Sequence, residues 1–194
     1  MKTYIIIHGT KGSPEGNWFP WLASELRQTG ALVFTPRMPT PENQSLSAWL
    51  AAFLTQCGPP DHTSTIIGHS IGATFLLRLL EQSLTPILHS VLVAGVLDRI
   101  DIPEFDNLNR SFTAAERPFD WPTIRRNAGK ITYIYGEADP YVPESQSLTL
   151  AHHLGVTPTL IAKGKHLNSE SGYTSFPQLL DYLINHSAYH PRPL

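Results

Sequence analysis

Six short apolar runs recur along this chain with helical patterns between them, and that alternation narrows its possible folds more than any other feature. The runs cover Tyr4 to Ile7, Leu32 to Phe34, Ser64 to Ile67, Val91 to Ala94, Ile131 to Tyr135 and Thr157 to Ile161, and most of their residues are β-branched or aromatic. Their apolar character is continuous rather than alternating, which suits strands covered on both faces. Between them, Trp18 to Gln28 places Trp18, Trp21, Leu22 and Leu26 on one helical stripe, with Asn17 as the expected N-cap and Gly30 as the stop. A second helix, opened by Ser45 or Ser47, carries Leu46, Trp49, Leu50, Phe53 and Leu54 and ends before Gly58, Pro59 and Pro60. Ile71 to Gln82, Ser145 to Leu154 and Ser175 to Asn185 read as three more helices. Strands alternating with helices demand right-handed crossovers and a parallel sheet, so the expected class is α/β.

With 194 residues, 41% of them apolar and only 15% charged, the chain can bury one core, and a single domain over 1–194 is expected. A formal charge of -2 without basic blocks gives no counterion-release surface, which argues against nucleic acid as a partner. No apolar run reaches the length of a membrane span or a signal segment, so no membrane partner and a cytoplasmic location are expected. Cys57 is the single cysteine, which excludes an internal disulfide; it is expected to be a buried, inert thiol. One segment breaks the rhythm. Gly95 to Lys130 is longer than a plain crossover requires and suggests a short lid, within which Asp120 caps "WPTIRRN" and Gly129 ends it. The tail from His186 to Leu194 is expected to be loosely held.

Gly68, His69, Ser70, Ile71 and Gly72 form G-x-S-x-G between an expected strand and an expected helix, the context in which that pattern carries a nucleophilic serine. Crowding explains the glycines: the chain bends sharply there, and side chains at 68 and 72 would strike neighbouring elements. The bend lifts the hydroxyl to the carboxyl edge of the sheet, at the positive end of the next helix. A serine needs a base, and the base needs an acid to orient it. Asp139 in "GEADPYVP" follows the fifth strand and His166 in "AKGKHLN" follows the sixth, which brings both to the edge that holds Ser70. Glu137 and Asp98 compete as the acid, and Asp139 before proline also suits a plain turn; the order serine, acid, histidine favours Asp139. His152 and His153 fall in a helical pattern, where a solvated or packing role is the default.

Acyl transfer also needs N–H donors aimed at the oxyanion. One is expected from the backbone of Ile71, and the other from Thr10 in the glycine-rich turn "IIIHGTKGSPEGNW" after the first strand. That turn lacks the spacing of a phosphate-cradling loop. Gly9, Lys11, Trp18 and Phe19 are candidates for the substrate-binding surface, with Phe112, Phe119 and Trp121 as further pocket candidates, although aromatics at helical spacing ordinarily pack in the core. His69 is counted beside the substrate as well, although its expected role is structural, with its ring turned from the hydroxyl.

At these residues the chain resembles the α/β-hydrolases, and within them the small, nearly capless serine hydrolases related to YdeN and to retinoblastoma-binding protein nine. The resemblance rests on "NWFPWL", "TIIGHSIGA", "FDWPTI", "YGEADPYVP" and "GKHLN", and covers most of the chain. It implies a three-layer α-β-α sandwich around a six-stranded parallel sheet of order 2-1-3-4-5-6, a minimal lid, and a triad of Ser70, Asp139 and His166. The sequence departs from the family at Ala138, where relatives often carry a second acid, and at Lys165, where glycine commonly precedes the histidine.

The chemistry expected is hydrolysis of small or short-chain esters through an acyl-enzyme, with no metal and no organic cofactor required. Two alternatives share the framework: a non-catalytic protein-binding module on a hydrolase fold, and an acyltransferase using the same triad. No feature of the sequence singles out a protein partner.

Overall fold

A computed structural model of the chain describes residues 1–185; the tail expected to be loosely held lies outside the described residues. The elements run β1 (Thr3–Ile7), α1 (Phe19–Gln28), β2 (Leu32–Phe34), α2 (Leu46–Cys57), β3 (Ser64–His69), α3 (Ile71–Gln82), β4 (His89–Val93), α4 (Pro103–Asn109), α5 (Trp121–Asn127), β5 (Lys130–Gly136), α6 (Glu144–Leu154), β6 (Thr159–Ile161) and α7 (Pro177–Asn185). The strands form one parallel sheet in the order β2-β1-β3-β4-β5-β6. Among the described residues, no helix is long and apolar enough to cross a membrane.

The unbroken apolar strands have a direct structural reason in the middle of the sheet, where β1, β3, β4 and β5 pack on both faces, whereas the edge strands β2 and β6 leave Leu32 and Leu160 exposed. Ile5, Ile7, Ile66, Leu92, Tyr133 and Tyr135 enter the core shared with α2, α3, α5 and α6. Their neighbours Tyr4, Ile6, Ile67, Val91, Val93 and Ile134 enter a second core with α1 and α7. This is the period-two alternation of a strand, with apolar residues required on either side. α3 is the central helix, buried from Ile71 through Leu80.

Local signals set several boundaries. Ser45 caps α2 by accepting from the Ala48 amide, which settles the choice between the two serines. Asp120 caps α5 through Thr123, as the sequence predicts. Asn17 does not cap α1. It has φ 50°, and its side-chain oxygen accepts from the Ser169 amide 152 positions away, while Trp18 occupies the cap position. The non-local bond to Ser169 outweighs the local preference.

The segment from 95 to 130 is divided. Its second half is core rather than lid. Buried Arg78 of α3 donates to the carbonyls of Phe112, Thr113 and Arg117, stands 3.7 Å from the Phe119 ring centre, and pairs with Glu81. Glu81 also accepts from Arg117 and from the Asp120 amide. Only the first half, with Val96, Ile100 and α4, reaches the carboxyl edge where the candidate residues gather.

Candidate active site

Ser70 leaves β3 at φ 57°, ψ −125°, a left-handed conformation that costs a non-glycine residue about 1–3 kcal/mol and persists only where its surroundings enforce it. A Cβ on Gly68 would lie 2.4 Å from the Gly72 carbonyl oxygen, and one on Gly72 would lie 2.6 Å from the carbonyl oxygens of Ile7 and His8. Both glycines are therefore demanded by close backbone approach. The Ser70 amide donates to Val93 of β4 at 2.9 Å, which pins the turn to the sheet. Ile71 opens α3, so its N–H has no acceptor within the helix and lies at the positive end of the helix dipole.

Asp139 stands just past β5. Its Oδ1 accepts the amides of Tyr141 at 2.8 Å and Val142 at 3.1 Å, and its Oδ2 lies 2.8 Å from Nδ1 of His166. Burial by itself would raise the carboxyl pKa, but the hydrogen bond and charge interaction with His166, together with the two amides, outweigh it and hold Asp139 below the usual carboxylate range. With Nδ1 donating to this carboxylate, Nε2 of the neutral ring carries the lone pair that can take a proton. The competing acids are engaged elsewhere: Glu137 accepts the Lys163 amide and Asp98 that of Arg99. His153 stacks flat on Trp121 at 4.5 Å, in the packing role expected of a helix residue.

The histidine loop bends through left-handed positions at Lys163 (φ 55°), Lys165 (φ 49°) and Leu167 (φ 52°). Lys165 thus takes up a conformation that glycine adopts freely and other residues only at a cost. His69 is buried beneath this loop. Its Nε2–H donates to the His166 carbonyl at 2.9 Å, and burial pushes its pKa down to about 3, so the ring stays neutral.

The first loop lies directly against the serine, since a Cβ on Gly9 would sit 2.9 Å from that of Ser70. Buried, neutral His8 shapes this loop: Nδ1–H donates to Gly9 and Nε2 accepts from the Met38 amide. The Thr10 hydroxyl bonds to Asn109 of α4, and Gln44 donates to Thr10, Asn109 and the Leu108 carbonyl. Lys11 pairs with Glu104 at 2.5 Å and lies 5.4 Å from the Phe105 ring centre. α4 is thereby fastened to the first loop by both polar and ionic contacts.

These elements enclose a cleft of about 370 Å³. Ser70 and His166 line it together with Gly9, Thr10, Lys11 and His69. Trp18 and Phe19 do not. Each is almost completely buried in the α1 core, because the helical stripe that carries them faces the sheet. Phe112 and Phe119 belong to the other core, and Trp121 packs beside it. The apolar wall comes instead from Val96, Ile100 and Phe105, and the polar rim from Asn17, Asn168 and Glu170. Tyr141 also lines the cleft; its ring lies 4.9 Å from that of His166, and its hydroxyl donates to Glu170. The sequence reading missed Phe105, Tyr141, Asn109 and Glu170. Only "DIPEFDN" offered a local signal, a proline-initiated turn with an early acid.

The sequence pattern of the serine hydrolase family matches residues 4–185. The chain belongs to that family. Among its curated relatives, YdeN of Bacillus subtilis (strain 168) is 29% identical over 187 residues, covering 95% of this chain and 96% of the relative. Serine hydrolase RBBP9 of Rattus norvegicus is 26% identical over 153 residues, covering 77% and 78%. The crystal structure of the B. subtilis ydeN product superposes with a TM-score of 0.88 at 27% identity, covering 97% of this chain and 100% of the other. Membership of the serine hydrolases and the sheet order together make this protein a hydrolase of the α/β-hydrolase fold.

Proposed function

We propose that this serine hydrolase is a carboxylesterase for small, short-chain esters, with Ser70 as nucleophile, His166 as base and Asp139 as the acid that orients it. The observation that carries the reading is the 2.8 Å contact between His166 Nδ1 and Asp139 Oδ2 at a cleft that also holds Ser70 on its strained turn. His166 takes the proton from the Ser70 hydroxyl as the oxygen attacks the ester carbonyl. The resulting oxyanion is met by the N–H of Ile71 and of Thr10. His166 then gives its proton to the departing alcohol, and water activated by the same imidazole releases the acid.

This sequence of steps also divides the cleft. The alcohol leaves on the side of His166, beside Tyr141, Asn168 and Glu170, and the acyl group lies toward Val96, Ile100 and Phe105. A volume of about 370 Å³ and so short an apolar wall favour small acyl groups.

The test is a series of p-nitrophenyl esters of increasing acyl length. Acetate and butyrate are expected to be turned over faster than long-chain esters, and Ser70→Ala is expected to reduce turnover by roughly six orders of magnitude. A preference for long chains, or activity indifferent to the serine, contradicts the reading.

A further inference from the structure

The loop that carries His166 is bent at three non-glycine positions, yet its histidine has to stay within hydrogen-bond distance of Asp139. Backbone contacts secure the approach to it: the Gly164 amide donates to Ile161, the Lys165 amide to Glu137 at 2.9 Å, and the Leu167 amide to Gly164. The carbonyls of His166 and Leu167 are met by side chains from distant parts of the chain. The Nε2–H of His69 donates to the His166 carbonyl at 2.9 Å, and the indole N–H of Trp18 donates to the Leu167 carbonyl at 2.9 Å. The two donors are themselves packed together, with ring centres 6.0 Å apart, and Phe19 adds a third ring 5.8 Å from His69. Trp18 is fully buried and His69 is 3% exposed.

We propose that Trp18 and His69 act as a paired clamp, positioning residues whose N–H groups hold the consecutive carbonyls of His166 and Leu167 and so fix the imidazole between Asp139 and the cleft. This rests on His166 being the base, as argued above.

Several features fit the clamp better than a purely apolar filler. Each donor is rigid and aromatic, so little rotamer freedom is lost in holding one geometry. His69 presents Nε2–H to the loop while its buried Nδ1 has no hydrogen-bond partner among the described residues, so there the ring's polar contact is the one to His166. Its imidazole lies edge-on to that of His166, with centres 5.0 Å apart. A neutral ring at that distance leaves the imidazolium formed during catalysis unopposed.

The clamp is tested by separating kcat from KM. Trp18→Phe keeps an aromatic ring and removes the N–H, and His69→Met keeps the bulk and removes the donor. Each is expected to lower kcat about 10- to 100-fold, the scale of a small misplacement of a catalytic group, with KM within about twofold of wild type. His69→Gln, whose amide nitrogen can reach the same carbonyl, is expected to retain at least about three times the activity of His69→Met. Because both donors serve one loop, the double variant should lose less than the product of the single losses. Folded Trp18→Phe and His69→Met proteins with kcat within about twofold of wild type overturn the clamp. Should Trp18→Phe fail to fold, replacing Trp18 by benzothienylalanine removes only the N–H, and the same thresholds apply. Ser70→Ala run in parallel separates the two readings: if it abolishes turnover while the clamp variants do not change it, the clamp alone is wrong, and if it leaves turnover intact, the catalytic assignment fails as well.

Discussion

The turn that carries Ser70 and the loop that carries His166 both bend through left-handed backbone, but they are supported in opposite ways. At the serine the strain sits on a single residue, and glycines at 68 and 72 give way to the backbone pressing on them. At the histidine it is spread over Lys163, Lys165 and Leu167, and it is restrained by the Lys163 amide donating to the Glu137 carboxylate and by hydrogen bonds from His69 and Trp18 to the loop carbonyls. The first bend is encoded within five consecutive residues. The second is encoded by residues as much as 149 positions away. The serine turn is written in one short motif that seats on neighbouring strands, and the histidine loop is held by side chains far away in sequence.

The largest effect is expected where the two regions cooperate. Asp139→Asn preserves the shape of the acid but inverts the hydrogen bond that selects the histidine tautomer, and turnover is expected to fall by about four orders of magnitude in steady-state assays. A loss of less than tenfold would detach the acid from the histidine loop. Gly72→Ala attacks the serine turn alone. Its Cβ would meet the Ile7 and His8 carbonyl oxygens at 2.6 Å, and a loss of more than about 3 kcal/mol in denaturant unfolding, or failure to fold, is expected.

Acid should act on the histidine side next. Burial holds His69 at about 3, and burial with the Lys130 charge holds His89 of β4 at about 4, against 6.5 for the free side chain. Between those values and 6.5 the unfolded chain binds more protons than the folded one. Stability is therefore complete above about pH 6.5 and falls as the pH drops toward the folded values, by about 2 kcal/mol for each histidine between pH 6.5 and 5. Melting temperatures across this window should show the loss, and His89→Gln should flatten it; a melting temperature that does not change from pH 7 to 5 would contradict the buried neutral rings. The smallest effect concerns Lys165. Glycine there removes the left-handed penalty but adds unfolded-state entropy, so Lys165→Gly is expected to change stability by no more than about 1 kcal/mol, in the stabilising direction. The same change at Ser70 would delete the hydroxyl proposed as the nucleophile, so there the relief of strain is expected to come with loss of turnover.

The difference between the two regions also explains what the sequence disclosed. The strands, the caps at Ser45 and Asp120, and the serine turn are set by short-range chemistry, and each was legible. Asp139 and His166 were legible because the end of a parallel strand fixes where the next residues go. Trp18 and Phe19 were misread as pocket residues, because a helical stripe does not state which body it packs on; in the folded chain the stripe faces the sheet and the indole reaches the histidine loop from behind. Asn17 was misread as a cap for a related reason, its partner Ser169 being far away in sequence. α4 showed only its proline-initiated start, and its contacts through Gln44, Asn109 and Lys11 were invisible, since short polar helices are stabilised by what they touch rather than by their own periodicity. Cys57 is half-buried rather than fully buried, and that burial still pushes its pKa up to about 12, which keeps the thiol protonated.

The assignment of Ser70 as a nucleophile activated by His166 is tested most directly by treating the protein with a fluorophosphonate probe and locating the adduct by peptide mass spectrometry. A single phosphonylated site at Ser70, absent from Ser70→Ala and formed far more slowly in a His166→Ala variant, is the predicted result. An adduct at another residue, or hydrolytic activity that persists with Ser70 unmodified by the probe, would contradict it.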